Sequence, residues 1–144
     1  MKIAITGHTA GIGKAFAEIL SDRGHEIVGL SKRNGDNIRN TTKIVEKILS
    51  CDLFLNNAQA GYAQTELLYR VWEAWKDNPQ KHIWCISSMM TELLTSDTLP
   101  NLSEVDANSY RNQKIALENA VQQLRNKAWL PKIILIRPGS VATQ

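Results

Sequence analysis

Thr6-Gly-His-Thr-Ala-Gly-Ile-Gly13 lies between a short apolar run, Lys2–Thr6, and a stretch with helical periodicity. Gly7 can make the tight turn that leaves a strand. Gly11 allows backbone to approach a pyrophosphate, and Gly13 allows a helix to pack close to a sheet. The free N–H groups and positive dipole end of that helix then face the anion. An ordinary tight turn between strand and helix is the alternative. The context, strand before and amphipathic helix after, favours nucleotide binding.

The same alternation continues outward. Apolar residues at Ile12, Ala15, Phe16, Ile19 and Leu20 predict one buried helix face, ended by Gly24. Glu26–Leu30 reads as a strand, and Ile44, Val45, Ile48 and Leu49 as a helix capped by Asn40 or Thr41. Asp52–Leu55, Ile83–Ile86 and Ile133–Ile136 read as strands. Leu67, Leu68, Val71, Trp72 and Trp75 mark a further helix, and a long one runs from about Asp106 to Lys127. Residues 89–106 read as a loop with its tip at Thr95–Pro100. Strands alternating with helices predict an α/β chain with a doubly wound parallel sheet.

The 144 residues, 1–144, fit a single domain. A net charge of +3 is too small to favour nucleic-acid binding. No run is long and apolar enough to span a membrane, and the start, MKIAITG, does not resemble a signal peptide. Cys51 and Cys85 lack a neighbouring CxxC or His partner, so buried free thiols are expected and a metal is not. These features point to a reducing cytoplasm.

Further along the chain, Ser31-Lys-Arg33 ends the second strand, where a dinucleotide fold often holds an acid for the ribose 2′-OH. Ser, Lys and Arg would instead bond a 2′-phosphate, which favours NADP over NAD. A basic surface turn is the competing reading. Asn56-Asn-Ala58 follows the third strand, Ser87-Ser88 follows the fourth, and Tyr110-x-x-x-Lys114 lies on the long helix. Positions i and i+4 share a helix face, so the ammonium can stabilise a phenolate and bring Tyr110 nearer to neutral proton transfer.

Taken in order, Thr6–Gly13, Asn56–Ala58, Ser88, Tyr110–Lys114 and Pro138–Thr143 resemble the short-chain dehydrogenase/reductase family over nearly the whole chain. The resemblance implies a Rossmann-like fold. It also implies a hydride transfer between NADP(H) and a small carbonyl or alcohol substrate. Tyr110 would be the acid/base, Lys114 would lower its pKa and bond the nicotinamide ribose, and Ser88 would orient the carbonyl, with Ser87 the alternative serine. The cofactor would meet Gly7, His8, Thr9, Gly11, Ile12 and Gly13. It would also meet Ser31, Lys32, Arg33, Asn56, Asn57, Ala58, Tyr110 and Lys114. Asp36 and Ile38 would contact adenine. Pro138, Gly139, Val141 and Thr143 would form the nicotinamide rim.

The chain also departs from the family pattern. Gln59 replaces the glycine after Asn-Asn-Ala, and the loop between Ser88 and Tyr110 is long. The family's catalytic asparagine has no clear match beyond Gln64. The region that usually follows the rim is absent, so the fold is expected to be truncated on its C-terminal side. A catalytically idle nucleotide-binding protein, a sensor or partner subunit, is therefore the rival reading. The resemblance further implies a homodimer or homotetramer, with Trp72 and Trp75 as candidate interface aromatics, although the core claims at least one of them.

Overall fold

Five short apolar runs become five parallel strands. The structure, a computed structural model, describes residues 1–88 and 103–139. The strands are β1 (Lys2–Thr6), β2 (Glu26–Leu30), β3 (Leu53–Asn56), β4 (His82–Ile86) and β5 (Lys132–Ile136). The helices are α1 (Gly11–Asp22), α2 (Thr41–Ile48), α3 (Ala63–Trp75) and α4 (Glu104–Lys127). The sheet order is β2-β1-β3-β4-β5, and every pairing is parallel.

That order sets the faces. The chain moves outward from β1 to β2, then crosses back over β1 to β3 and continues the other way. Right-handed crossovers in opposite directions put their helices on opposite faces. Phe16, Ala17 and Leu20 of α1 pack on Ile3, Ile5, Leu53 and Leu55. On the other face Ala4, Phe54, Ile83 and Ile133 meet Ile44 and Ile48 of α2, Leu67 and Trp72 of α3 and Leu117 of α4. Between β1 and β3 the chain leaves in opposite directions, which opens a crevice at the carboxyl edge.

Three sequence expectations need correction. On α1, Ala15 and Ile19 are exposed, Ile19 by 53%. The stripe against the sheet runs through Gly13, Phe16, Ala17 and Leu20, and Ile19 lies outside it. Trp72 and Trp75 are both buried, so neither supplies an exposed interface aromatic. Lys76 and Lys127 lie over the Trp72 ring, and Trp75 Nε1 donates to Leu49 O at 3.4 Å. Finally, α4 starts at Glu104, because Ser103 Oγ accepts the Asp106 N–H at 3.1 Å and caps the first turn. Of the predicted loop over 89–106, residues 89–102, its tip included, lie outside the described residues, and residues 104–106 belong to α4. Both cysteines are buried free thiols, as their sequence surroundings predict.

Candidate cofactor and catalytic site

Gly7 and Gly11 hold φ of +73° and +57°, the left-handed region that favours glycine. Gly13 answers to a different constraint. A Cβ there would stand 2.0 Å from Gly7 O and 2.6 Å from Asn57 Nδ2. The start of α1 therefore rests directly on backbone. Asn57 Nδ2 donates to Thr6 O at 3.1 Å, and Thr6 Oγ1 accepts the N–H of Asn57 at 3.1 Å and of Ala58 at 3.2 Å. Asn56 Nδ2 donates to Gln64 O at 2.9 Å. Asn56 and Asn57 thus spend their side chains on joining β1, β3 and α3, and Ala58 faces the crevice.

A cavity of about 210 Å³ opens in the crevice. Gly7, Thr9, Ser31, Lys32, Arg33, Asp36, Ile38 and Ala58 all line it, so one space gathers residues from four separate sequence stretches. Lys32 and Arg33 are exposed and follow Ser31, whose Oγ accepts the Asn34 N–H at 3.2 Å and caps a short 3-10 turn. That bond uses an oxygen lone pair and leaves the hydroxyl hydrogen for a ligand. Asp36 Oδ1 lies 2.5 Å from Lys47 Nζ and 3.8 Å from Lys43 Nζ. Its charge is therefore paired inside the protein. Gly11, Ile12 and Gly13 supply the helix end beside the cavity. His8 is not brought into it: the imidazole packs against Gly29 and faces a cleft between α1 and β2.

At the same edge of the sheet, α4 carries Tyr110 and Lys114. Lys114 Nζ lies 5.7 Å from the Tyr110 ring centroid and is buried. It donates to Gln64 Oε1 at 2.9 Å and to Ile86 O at 3.0 Å. Burial pushes the ammonium down to about 8, with Cys85 and Glu118 offsetting part of the effect. Ser87 is buried and donates to Glu118 Oε2 at 2.5 Å. Arg137 closes on the same carboxylate. Ser88, one residue on, is less buried and stands at the end of β4. Pro138 and Gly139 follow β5 at this edge, whereas Val141 and Thr143 lie outside the described residues.

Lys114 gives a pH dependence that can be measured. Its folded pKa of about 8 lies below the ordinary 10.5, so between these values the unfolded chain binds more protons. Stability is expected to rise with pH across that window. Lys114→Met removes the titrating group, so its thermal midpoint should lack this rise. Parallel pH profiles of the two proteins would refute the assignment.

Two members of the constellation were not assigned firmly by sequence. Gln64 was only weakly marked, and Glu118 was not marked at all. Glu118 falls four residues after Lys114, on the same helix face. That spacing is a usable signal. Gln59, standing where the family has glycine, lines the cavity and donates to Gln113 Oε1 on α4.

A parallel sheet in this order with a glycine loop at its switch point defines a doubly wound, Rossmann-like α/β fold. Solved structures specify it further. The 3-alpha-hydroxysteroid dehydrogenase from Pseudomonas sp. B-0831, complexed with NADH, is 20% identical with a TM-score of 0.69, covering 99% of this chain and 74% of its own. A short-chain dehydrogenase from Streptomyces avermitilis is 17% identical with a TM-score of 0.73, covering 99% and 67%. An alcohol dehydrogenase from the archaeon Thermococcus sibiricus, complexed with 5-hydroxy-NADP, is 16% identical with a TM-score of 0.67, covering 97% and 76%. The fold is that of the short-chain dehydrogenases/reductases. No family model matches the sequence, and no curated protein matches it.

Proposed function

We propose that this chain is a single-domain NADP-dependent oxidoreductase that moves a hydride between the cofactor and a small carbonyl or alcohol. One observation carries the reading. Gln59, which lines the cavity, bonds Gln113 on α4, the helix that carries Tyr110 and Lys114, and this supports a common site. The residues present fit a dinucleotide. Glycine backbone and the N-terminus of α1 suit a pyrophosphate. Ser31, Lys32 and Arg33 suit a 2′-phosphate. Asp36, already paired with Lys47, does not repel it.

When bound, the cofactor supplies or accepts the hydride at the substrate carbon. In carbonyl reduction Tyr110 gives its hydroxyl proton to the substrate oxygen, and the Lys114 ammonium stabilises the phenolate left behind. Ser88 donates a hydrogen bond to the same oxygen. Ser87, the alternative serine, donates to Glu118 Oε2. The two buried thiols suit a reducing compartment, and we assign the chain to the cytoplasm. From the family resemblance we expect a homodimer or homotetramer, which light scattering would test.

Titration with NADPH and NADH, followed by tryptophan fluorescence and calorimetry, is the direct test. NADPH should bind well and NADH weakly; binding of neither would favour the idle nucleotide-fold reading. Arg33→Ala should weaken NADPH by about 10- to 100-fold, since a hydrogen bond to a charged group contributes about 1.5–3 kcal/mol. NADH should be unaffected. An equal loss for both dinucleotides would show that Arg33 does not read the 2′-phosphate.

A further inference from the structure

Gln59 stands where the family pattern has glycine, so the pattern gives its side chain no task. The fold puts that side chain in the wall of the cavity that also gathers Ser31, Lys32, Arg33 and Asp36. Its Nε2 donates to Gly61 O at 3.0 Å and to Gln113 Oε1 on α4. A backbone carbonyl can only accept, so Gly61 fixes which end of the amide is nitrogen. Gln113 is turned to receive it, because its own Nε2 donates to Ser109 Oγ at 3.1 Å. The Gln59 oxygen is left over. Oε1 is buried, and no group among the described residues donates to it. A buried acceptor without a donor is costly, and such groups are rare in folded proteins.

The neighbouring groups define the kind of ligand that supplies the donor. Ser31 keeps its hydroxyl hydrogen, Lys32 and Arg33 are exposed cations, and Asp36 is paired with Lys47 and Lys43. A phosphate satisfies such donors, but it presents acceptors itself and does nothing for Oε1. The missing donor therefore belongs to another part of the ligand. Asn57 Nδ2 donates to Gly7 O at 3.3 Å, so the Asn57–Gln59 wall adjoins the glycine loop. In a nucleotide the group next to the phosphate is the ribose, which carries hydroxyls. Oε1 is covered in the ligand-free chain, and its exposure takes a turn of the amide away from Gln113. That turn gives up one contact between two flexible side chains and releases an acceptor stranded without a partner, so the exchange is close to balanced.

We propose that Gln59 is a specificity-determining residue of the cavity: on nucleotide binding its amide turns from Gln113, and Oε1 accepts a ribose hydroxyl. The inference rests on the NADP reading, in which the 2′-phosphate lies at Ser31–Arg33 and the 5′-phosphate at the glycine loop, so the hydroxyl left is the 3′. The probes are adenosine 2′,5′-bisphosphate and its 3′-deoxy form, which match in charge and differ by that hydroxyl. Both are titrated by calorimetry into the ligand-free chain. The wild type should bind the hydroxyl-bearing probe about 3- to 10-fold more tightly, the effect of one hydrogen bond between neutral groups. Gln59→Met keeps the reach of the side chain without its amide and should bind the two probes equally. Gln113→Ala should keep the preference, because it removes only the partner that the amide leaves. A Gln59 that merely braces α4 through Gln113 predicts something else: both variants would lose affinity for both probes alike, and that result overturns the proposal. Equal binding of the probes by the wild type, or a preference that survives Gln59→Met, also overturns it. In either case NADPH binding leaves the dehydrogenase reading standing. Failure of that reading shows separately, as no binding of NADPH, NADH or either probe, and the proposal falls with it.

Discussion

Tyr110→Phe is expected to lower kcat/KM for carbonyl reduction by about 10²- to 10⁴-fold, the usual contribution of a positioned acid. NADPH affinity should be unchanged. The substitution isolates one atom. The ring is kept, and with it the packing beside Lys114 Nζ, 5.7 Å from the ring centroid. Only the hydroxyl group is lost. The measurement is NADPH oxidation with a panel of small aldehydes and ketones. A panel member reduced as fast by the variant as by the wild type would remove Tyr110 from the mechanism. A parallel loss of NADPH binding would mean that the hydroxyl holds cofactor and does not move a proton.

Gly13→Ala is expected to destabilise the fold by about 3 kcal/mol, at the upper end for forced overpacking. Alanine favours a helix interior over glycine by about 1 kcal/mol, so propensity alone predicts the opposite sign. The clash decides the outcome. The new Cβ would meet Gly7 O at 2.0 Å and Asn57 Nδ2 at 2.6 Å. Neither can yield cheaply: the first is backbone, and the second bonds Thr6 O. Relief requires α1 to move away from the glycine loop, so dinucleotide binding should fall as well. Gly139→Ala is the control. Among the described residues a Cβ there meets nothing within 4 Å, and its effect should stay within about 0.5 kcal/mol. Urea unfolding midpoints compare the two. Equal midpoints would show that α1 does not rest on Gly7.

Part of this contrast was readable without a structure. The turn at Gly7, the need for glycine at Gly11 and the close packing at Gly13 follow from the spacing of the glycines between a strand and a helix. The strands were readable too, because each buried strand of a parallel sheet is a short, nearly continuous apolar run. Tyr110 and Lys114 are four residues apart on one helix, so their proximity is a local fact. The Ser103 cap was equally local, and its distance of three residues from Asp106 could have placed the helix start.

Residues that depend on contacts between distant segments behaved differently. Periodicity marked Ile19 as buried, yet α1 turns it outward. Trp72 and Trp75 looked suited to an interface, but α2, α4 and the sheet enclose the helix that carries them. Asp36 was expected to bond adenine. That it is first paired with Lys47, eleven residues on, depends on how α2 folds back.

What the sequence by itself determined is the order of strands and helices, the glycine loop and the Tyr110–Lys114 pair, because each is encoded in spacing along one segment. Only the tertiary structure decided which serine is engaged by Glu118, where His8 points and what holds Lys114. Those answers depend on side chains brought together across the carboxyl edge of the sheet. Gln64 and Lys114 meet there although 50 residues separate them. No local pattern specifies such a contact, because chain topology brings the two segments together.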